Sequence, residues 1–177
     1  YELKRPVFFV GFMGAGKTSV ARRLARQCHV ASVDMDTYLE RREGKKVKAI
    51  FAESGEEGFR ALETDVLGEL AAKEPLLVSC GGGVVKRDEN RAILRDAGFV
   101  VYLKVTADEA KSRISDTSTR PLFQDLDVAR KTSEERLPLY AEVADLTIDT
   151  AGKNVATIAR EVQSALEKEG ILCLQRK

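Results

Sequence analysis

The chain has 177 residues, 44% of them apolar, and its 29 Lys and Arg nearly balance 28 Asp and Glu. That length suits one domain with a substantial core, and the cancelled charge excludes a global field that would draw the chain to nucleic acid or an anionic membrane. No apolar stretch approaches the roughly 20 residues of a membrane span, no signal pattern is read at the start, and three cysteines without CxxC spacing argue against a disulfide framework or a zinc site. The expectation is a cytoplasmic monomer in a reducing compartment, or a plastid protein if the chain is a processed form. Its first residue, Tyr1, leaves open a piece of a longer polypeptide.

Residues 7–10, Val-Phe-Phe-Val, read as a buried strand. They run into Gly-Phe-Met-Gly-Ala-Gly-Lys-Thr at 11–18, which matches the phosphate-loop pattern G-x-x-x-x-G-K-[ST] at every required position. A helical pattern follows from Lys17 to Cys28. Strand, glycine loop and helix turn backbone N–H groups and a helix N-terminus toward one point, where a di- or triphosphate fits. Gly11, Gly14 and Gly16 let the backbone wrap phosphate oxygens, Lys17 sets a charge between the β- and γ-phosphates, and Thr18 offers a hydroxyl to Mg²⁺. The alternative, a glycine turn that merely ends a strand, does not account for the full motif in this setting. His29, just past the helix, is given no role.

A weaker strand at 31–33 precedes Asp34-Met35-Asp36. On an extended stretch the two carboxylates point to opposite sides, which suits Asp34 to Mg²⁺ and its waters and Asp36 to an acceptor hydroxyl, as hydrogen-bond acceptor or base. A plain helix cap is the competing use of Asp36. From about 36 to 72 the pattern is helical with a break at 53–55. Within it Arg60 and Glu63 share a helix face and read, on spacing alone, as a surface ion pair. A strand at 76–79 leads to Cys80, a small buried residue by default, and then to Gly81-Gly82-Gly83, where a ligand can approach the backbone. Another strand covers 99–104.

Residues 114–127 are polar, hold Arg120-Pro121, and suit a lid. Spacing singles out neither Arg120 nor Arg136. A last strand at 146–148 and a helical pattern through Val155, Ile158, Ala159, Val162 and Leu166 complete the alternation. Alternating strands and helices imply a parallel sheet covered on both faces, with ligands beyond the carboxyl ends of its strands. The end segments 1–5 and 172–177 carry no motif.

Taken in order, the phosphate loop, Asp34-Met35-Asp36, Gly55-Glu56-Glu57-Gly58-Phe59-Arg60-Ala61-Leu62-Glu63, the triple glycine, Arg120-Pro121-Leu122 and Arg136-Leu137-Pro138-Leu139-Tyr140 resemble a shikimate kinase over essentially the whole chain. The resemblance implies an α/β P-loop NTPase fold of the nucleoside-monophosphate-kinase type: a five-stranded parallel sheet, helices on both faces, acceptor-binding helices at about 36–72 and a lid at about 114–127, all in one domain. It implies transfer of the γ-phosphoryl of ATP to the 3-hydroxyl of shikimate, with Mg²⁺. By the same resemblance Asp36, Arg60, Gly81, Gly82, Gly83 and Arg136 hold shikimate, with Val47, Phe51, Phe59 and Leu122 as apolar walls. Gly14, Ala15, Gly16, Lys17, Thr18, Ser19, Arg113, Arg120 and Lys153 would hold ATP, and Thr18 and Asp34 the metal. Lys17, Asp36 and Arg120 would carry catalysis. A kinase of another small hydroxy acid, such as gluconate, and a catalytically silent ATP-binding relative are the rival readings.

Overall fold

All five apolar runs become strands, each within one residue of its expected bounds, in a computed structural model that describes residues 1–113 and 126–176 without the side chains of Arg113 and Leu126. Arg120, Leu122 and residues 114–125 of the expected lid lie outside the described residues. Residues 126 and 127 belong instead to a helix, as shown below.

The elements run β1 (Glu2–Leu3), β2 (Val7–Val10), α1 (Lys17–Cys28), β3 (Ser32–Asp34), α2 (Met35–Glu43), α3 (Val47–Ala72), β4 (Leu77–Ser79), a 3₁₀ turn (Val84–Lys86), α4 (Asp88–Ala97), β5 (Phe99–Lys104), α5 (Ala107–Arg113), α6 (Leu126–Val143), β6 (Leu146–Asp149), α7 (Val155–Lys168) and β7 (Leu172–Cys173). The five-stranded sheet has the order β3-β4-β2-β5-β6 and every pairing is parallel. Alternate residues of β2 feed opposite faces. Val7 and Phe9 join a core with α1 and α7 residues such as Leu24 and Val162, while Phe8 and Val10 join one with Leu39, Leu67, Leu94 and Tyr140. All four β2 side chains are fully buried, as a strand covered on both faces requires. Each such Phe or Leu contributes about 1.5–3 kcal/mol of burial free energy.

The helices end where their sequence stops them. His29 closes α1 in the left-handed conformation (φ 52°), and its N–H bonds to the carbonyl of Ala25. The 36–72 stretch has two breaks rather than one. Gly55 (φ 69°) kinks α3 at the expected place, and the chain also breaks at 44–46, where Gly44 caps α2. The Glu40 carboxylate then receives the N–H of Val47 at 3.0 Å, satisfying one of the open donors of α3. The termini form a small antiparallel ribbon, Leu3 opposite Leu172, which the sequence reading left without structure. Two-residue strands carry too few positions for a period to show. Among the described residues no helix is long and apolar enough to cross a membrane.

Three carboxyl ends of strands deliver chemistry to one edge of the sheet. The phosphate loop leaves β2, Asp34 ends β3, and Ser79 ends β4 one step before Cys80 and the triple glycine.

Candidate active site

The phosphate loop is fixed from below by α5. Gly14 has φ 83°, and a Cβ there would lie 2.9 Å from Ala110, so only glycine lets the loop rest on that helix. The contact brings α5, which ends at Arg113, beside the loop. Gly16 caps α1 at φ 89° with no side-chain hydrogen bond to the first turn, which leaves the helix N-terminus to whatever anion binds there. Ala15 is buried and bonds its N–H to the carbonyl of Phe12 at 3.2 Å. Lys17, also buried, donates its Nζ to the carbonyls of Gly11 and Phe12, the latter at 3.3 Å. Ser19 follows in the first turn of α1.

Oxygen donors gather next to the loop. Thr18 Oγ1 donates to Asp34 Oδ2 at 2.8 Å and lies 2.9 Å from Ser79 Oγ. The other Asp34 oxygen, Oδ1, accepts the N–H of Thr37 at 2.9 Å. Two expectations change here. Asp34 belongs to the strand and is itself the N-cap of α2, and Asp36 lies in the first helical turn rather than on extended chain. The carboxylates still part company, because the helix start, not strand alternation, turns them. Asp36 Oδ1 comes to 3.4 Å from where a Cβ on Gly81 would sit.

Around the glycine strip four ionisable side chains converge. A Cβ on Gly81 would meet Glu63 Oε2 at 3.2 Å, one on Gly82 would meet Arg136 Nη1 at 3.4 Å, and one on Gly83 would fall 2.4 Å from Arg60 Nη2. Gly83 has ordinary backbone angles (φ −95°, ψ 7°), so its need for glycine is one of space: the Arg60 guanidinium lies on the bare backbone. Arg60 Nη1 donates to Glu63 Oε1 at 2.9 Å, and its Nε faces Glu56 Oε1 at 3.6 Å. The spacing reading of a surface pair is overturned: the side chains of Arg60 and Glu63 are 12% and 2% exposed. Arg136 is buried on α6, where a solvated charge was the plain reading.

Burial raises the Glu63 carboxyl above its ordinary range, against the opposing pull of Arg60, Arg136 and Lys86. Among the described residues Glu63 Oε2 and Arg60 Nε find no hydrogen-bond partner, which is the condition of a polar site shaped for a ligand. Phe59 is buried, stacks on half-exposed Phe51 with ring centroids 4.6 Å apart, and lies under the Arg60 guanidinium at 5.1 Å. Val47 packs at the margin of the same core. Lys153 lies between β6 and α7, and the partner of its ammonium is Glu161 at 3.1 Å.

With this geometry in view, the family model of shikimate kinase matches residues 13–167. The chain belongs to the shikimate kinase family. It is 41% identical over 168 residues to the shikimate kinase of Vibrio parahaemolyticus, covering 93% of this chain and 98% of that one. The structure of shikimate kinase from Acinetobacter baumannii in complex with shikimate superposes with a TM-score of 0.88 at 35% identity, over 93% of this chain and 94% of that one. A gluconokinase from Sinorhizobium meliloti shares the fold alone, with a TM-score of 0.62 at 18% identity over 96% of this chain and 95% of that one. The α/β fold with a five-stranded parallel sheet and a phosphate loop is that of the family.

Two residues that sequence reasoning gave no role, and one that it misplaced on the surface, belong to the site's framework. Ser79 is the polar end of an otherwise apolar strand, and its position at the carboxyl edge was the available signal. Glu63 was noticed, but its burial was not foreseen. Tyr140 stands four residues after Arg136, on the same face of α6, and donates its hydroxyl to the carbonyl of Gly82.

Proposed function

We propose that the protein transfers the γ-phosphoryl group of ATP to the 3-hydroxyl of shikimate. The observation that carries this reading is the set of Asp36, Glu63, Arg60 and Arg136, with Glu63 and Arg136 buried, around a strip of bare glycine backbone, directly beside a complete phosphate loop. Planar guanidinium forks match a carboxylate with two parallel hydrogen bonds, so Arg60 and Arg136 fit the acid group of a small acceptor. Asp36 then accepts from a ring hydroxyl, and Gly81–Gly83 let the ring lie against backbone.

On the nucleotide side the loop residues Gly14 to Ser19 cradle the phosphates, Lys17 holds charge on the β- and γ-groups, and Arg113 and Lys153 flank the base. Thr18 Oγ1, Asp34 Oδ2 and Ser79 Oγ make an all-oxygen donor set, the chemistry that Mg²⁺ prefers when one or two carboxylates and the phosphates complete its shell. Bound there, Mg²⁺ would offset the charge of the phosphate oxygens. Phosphoryl transfer leaves little covalent work to the protein, so positioning and charge stabilisation by Lys17 and the lid residue Arg120 provide most of the acceleration. Asp36 orients the attacking hydroxyl and takes its proton. The same reading has a monomer working in the cytoplasm.

A coupled ADP-release assay with Mg-ATP tests this, comparing shikimate with gluconate, quinate and nucleoside monophosphates. Release that depends on shikimate alone is expected. Release with another acceptor and not with shikimate would overturn the assignment, as would no release from folded, ATP-binding protein.

A further inference from the structure

We propose that Tyr140 is a positioning residue for the acceptor site: its hydroxyl pins the carbonyl of Gly82 and so holds the glycine strip in the shape against which Arg136 and Arg60 close. The inference rests on the functional reading above, and goes beyond it by naming a residue outside the sets assigned to shikimate and ATP.

Three consecutive glycines have the least hindered backbone available to a chain, so their peptide planes turn easily unless something holds them. Tyr140 supplies that hold by donating its hydroxyl to the Gly82 carbonyl. The side chain is 1% exposed, and its ring lies against that of Tyr102 on β5, with centroids 5.2 Å apart and planes at 33°. The hydroxyl therefore arrives from a fixed direction. One turn earlier on α6, Arg136 brings Nη1 to 3.4 Å from the Cβ position of Gly82. A single helix face thus offers a phenol to the carbonyl of Gly82 and a guanidinium to its Cα. Burial pushes the phenol up to about 12, so it remains a donor throughout the usual assay range. A second pin follows: buried Asn90 donates Nδ2 to the carbonyl of Val84 at 3.0 Å, just past the strip.

Tyr140→Phe removes the hydroxyl and keeps the ring, and Tyr102→Phe is the matched control on the neighbouring ring. Two readouts are needed: steady-state KM for shikimate and for ATP, and hydrogen exchange at the Gly82 and Gly83 amides without substrate. Tyr140→Phe is expected to raise the shikimate KM about fivefold, the worth of one hydrogen bond, to leave the ATP KM unchanged, and to speed exchange at the strip. Tyr102→Phe should do none of these. Equal losses for both substrates with unchanged exchange would make Tyr140 a purely structural residue and overturn the proposal, as would no change in either readout. Faster exchange in Tyr140→Phe, with a wild type that does not turn over shikimate, would uphold the pin and sink the substrate reading instead.

Discussion

Replacing Gly83 by alanine tests the acceptor pocket through one methyl group. The backbone there (φ −95°, ψ 7°) accepts alanine without strain, so the effect is steric. The new Cβ would stand 2.4, 2.5 and 2.6 Å from Nη2, Nη1 and Cζ of Arg60. Ordinary contact needs about 3.5 Å, so the guanidinium must move by about 1 Å. It cannot do so freely, because Nη1 is bonded to Glu63 at 2.9 Å and the side chain is 12% exposed. A shift of that size stretches the bond beyond hydrogen-bonding range and misaims the fork proposed to receive the acceptor's carboxylate. Loss of a charge-assisted hydrogen bond is worth about 1.5–3 kcal/mol, which is about 10–150-fold in shikimate affinity. The KM for ATP, proposed to bind at the phosphate loop, should stay unchanged. Steady-state kinetics with both substrates varied reads the effect, and a double-mutant cycle with Arg60→Ala isolates it. Once Arg60 is shortened, alanine at 83 has room, so the double variant should bind shikimate no worse than Arg60→Ala alone. An unchanged shikimate KM in Gly83→Ala, or a full additional loss in the double variant, would refute the argument.

Further outcomes follow from the same geometry. Lys17→Ala should lower turnover by orders of magnitude with an unchanged circular dichroism spectrum; retained turnover would remove Lys17 from the phosphate cradle. Alkylation of the native protein by iodoacetamide near pH 8, mapped by mass spectrometry, should label partly exposed Cys173 and spare Cys28 and Cys80. Burial raises the Cys80 thiol far above its ordinary range and leaves no thiolate to react, so rapid labelling at Cys80 would contradict its placement. Glu63→Gln should change the pH dependence of stability. Burial raises the Glu63 pKa in the folded state above its ordinary value of 4.5, so the folded protein binds that proton more tightly than the unfolded chain. Stability of the wild type relative to Glu63→Gln should therefore fall as pH rises from 4.5 through the folded-state pKa. Thermal melts of both proteins across that window check the sign, and a flat difference would mean that Glu63 is not the buried carboxyl described.

The two halves of the site were unequally legible in the sequence. The phosphate side is local: the last strand residues, the glycine loop and the first helical turn are contiguous, and the order of residue types alone fixes what they form. Thr18 and Asp34 needed only the further inference that β3 ends at the same edge. The acceptor side is assembled from distant segments, Asp36 on α2, Arg60 and Glu63 on α3, Arg136 and Tyr140 on α6, all closing on the strip after β4. Helical spacing told that Arg60 and Glu63 share a face, yet could not tell that the face is buried, because burial depends on what Gly81 and Gly83 lack. The resemblance to a family supplied Arg60 and Arg136 where periodicity could not. Asp34 as a cap was missed for a different reason: a strand and a helix that abut without a loop leave no turn residues to mark the join.

The placement of charge explains why this acceptor side can exist without unfolding the protein. Two carboxylates and two guanidiniums, largely withdrawn from water, would each be costly alone. Together they sum to zero, and each carboxylate that lies beside the strip has an arginine within the same cluster. The compensation is incomplete in one respect: Glu63 Oε2 and Arg60 Nε remain without hydrogen bonds among the described residues. Filling those groups with hydrophobic side chains would make a more stable core, and would erase the polar surface on which a small acid can be oriented. The glycine strip resolves the geometric half of the problem. By presenting backbone without side chains, it lets two guanidiniums close on the strip, while Tyr140 donates to the carbonyl of Gly82 and Asn90 to that of Val84 just beyond it.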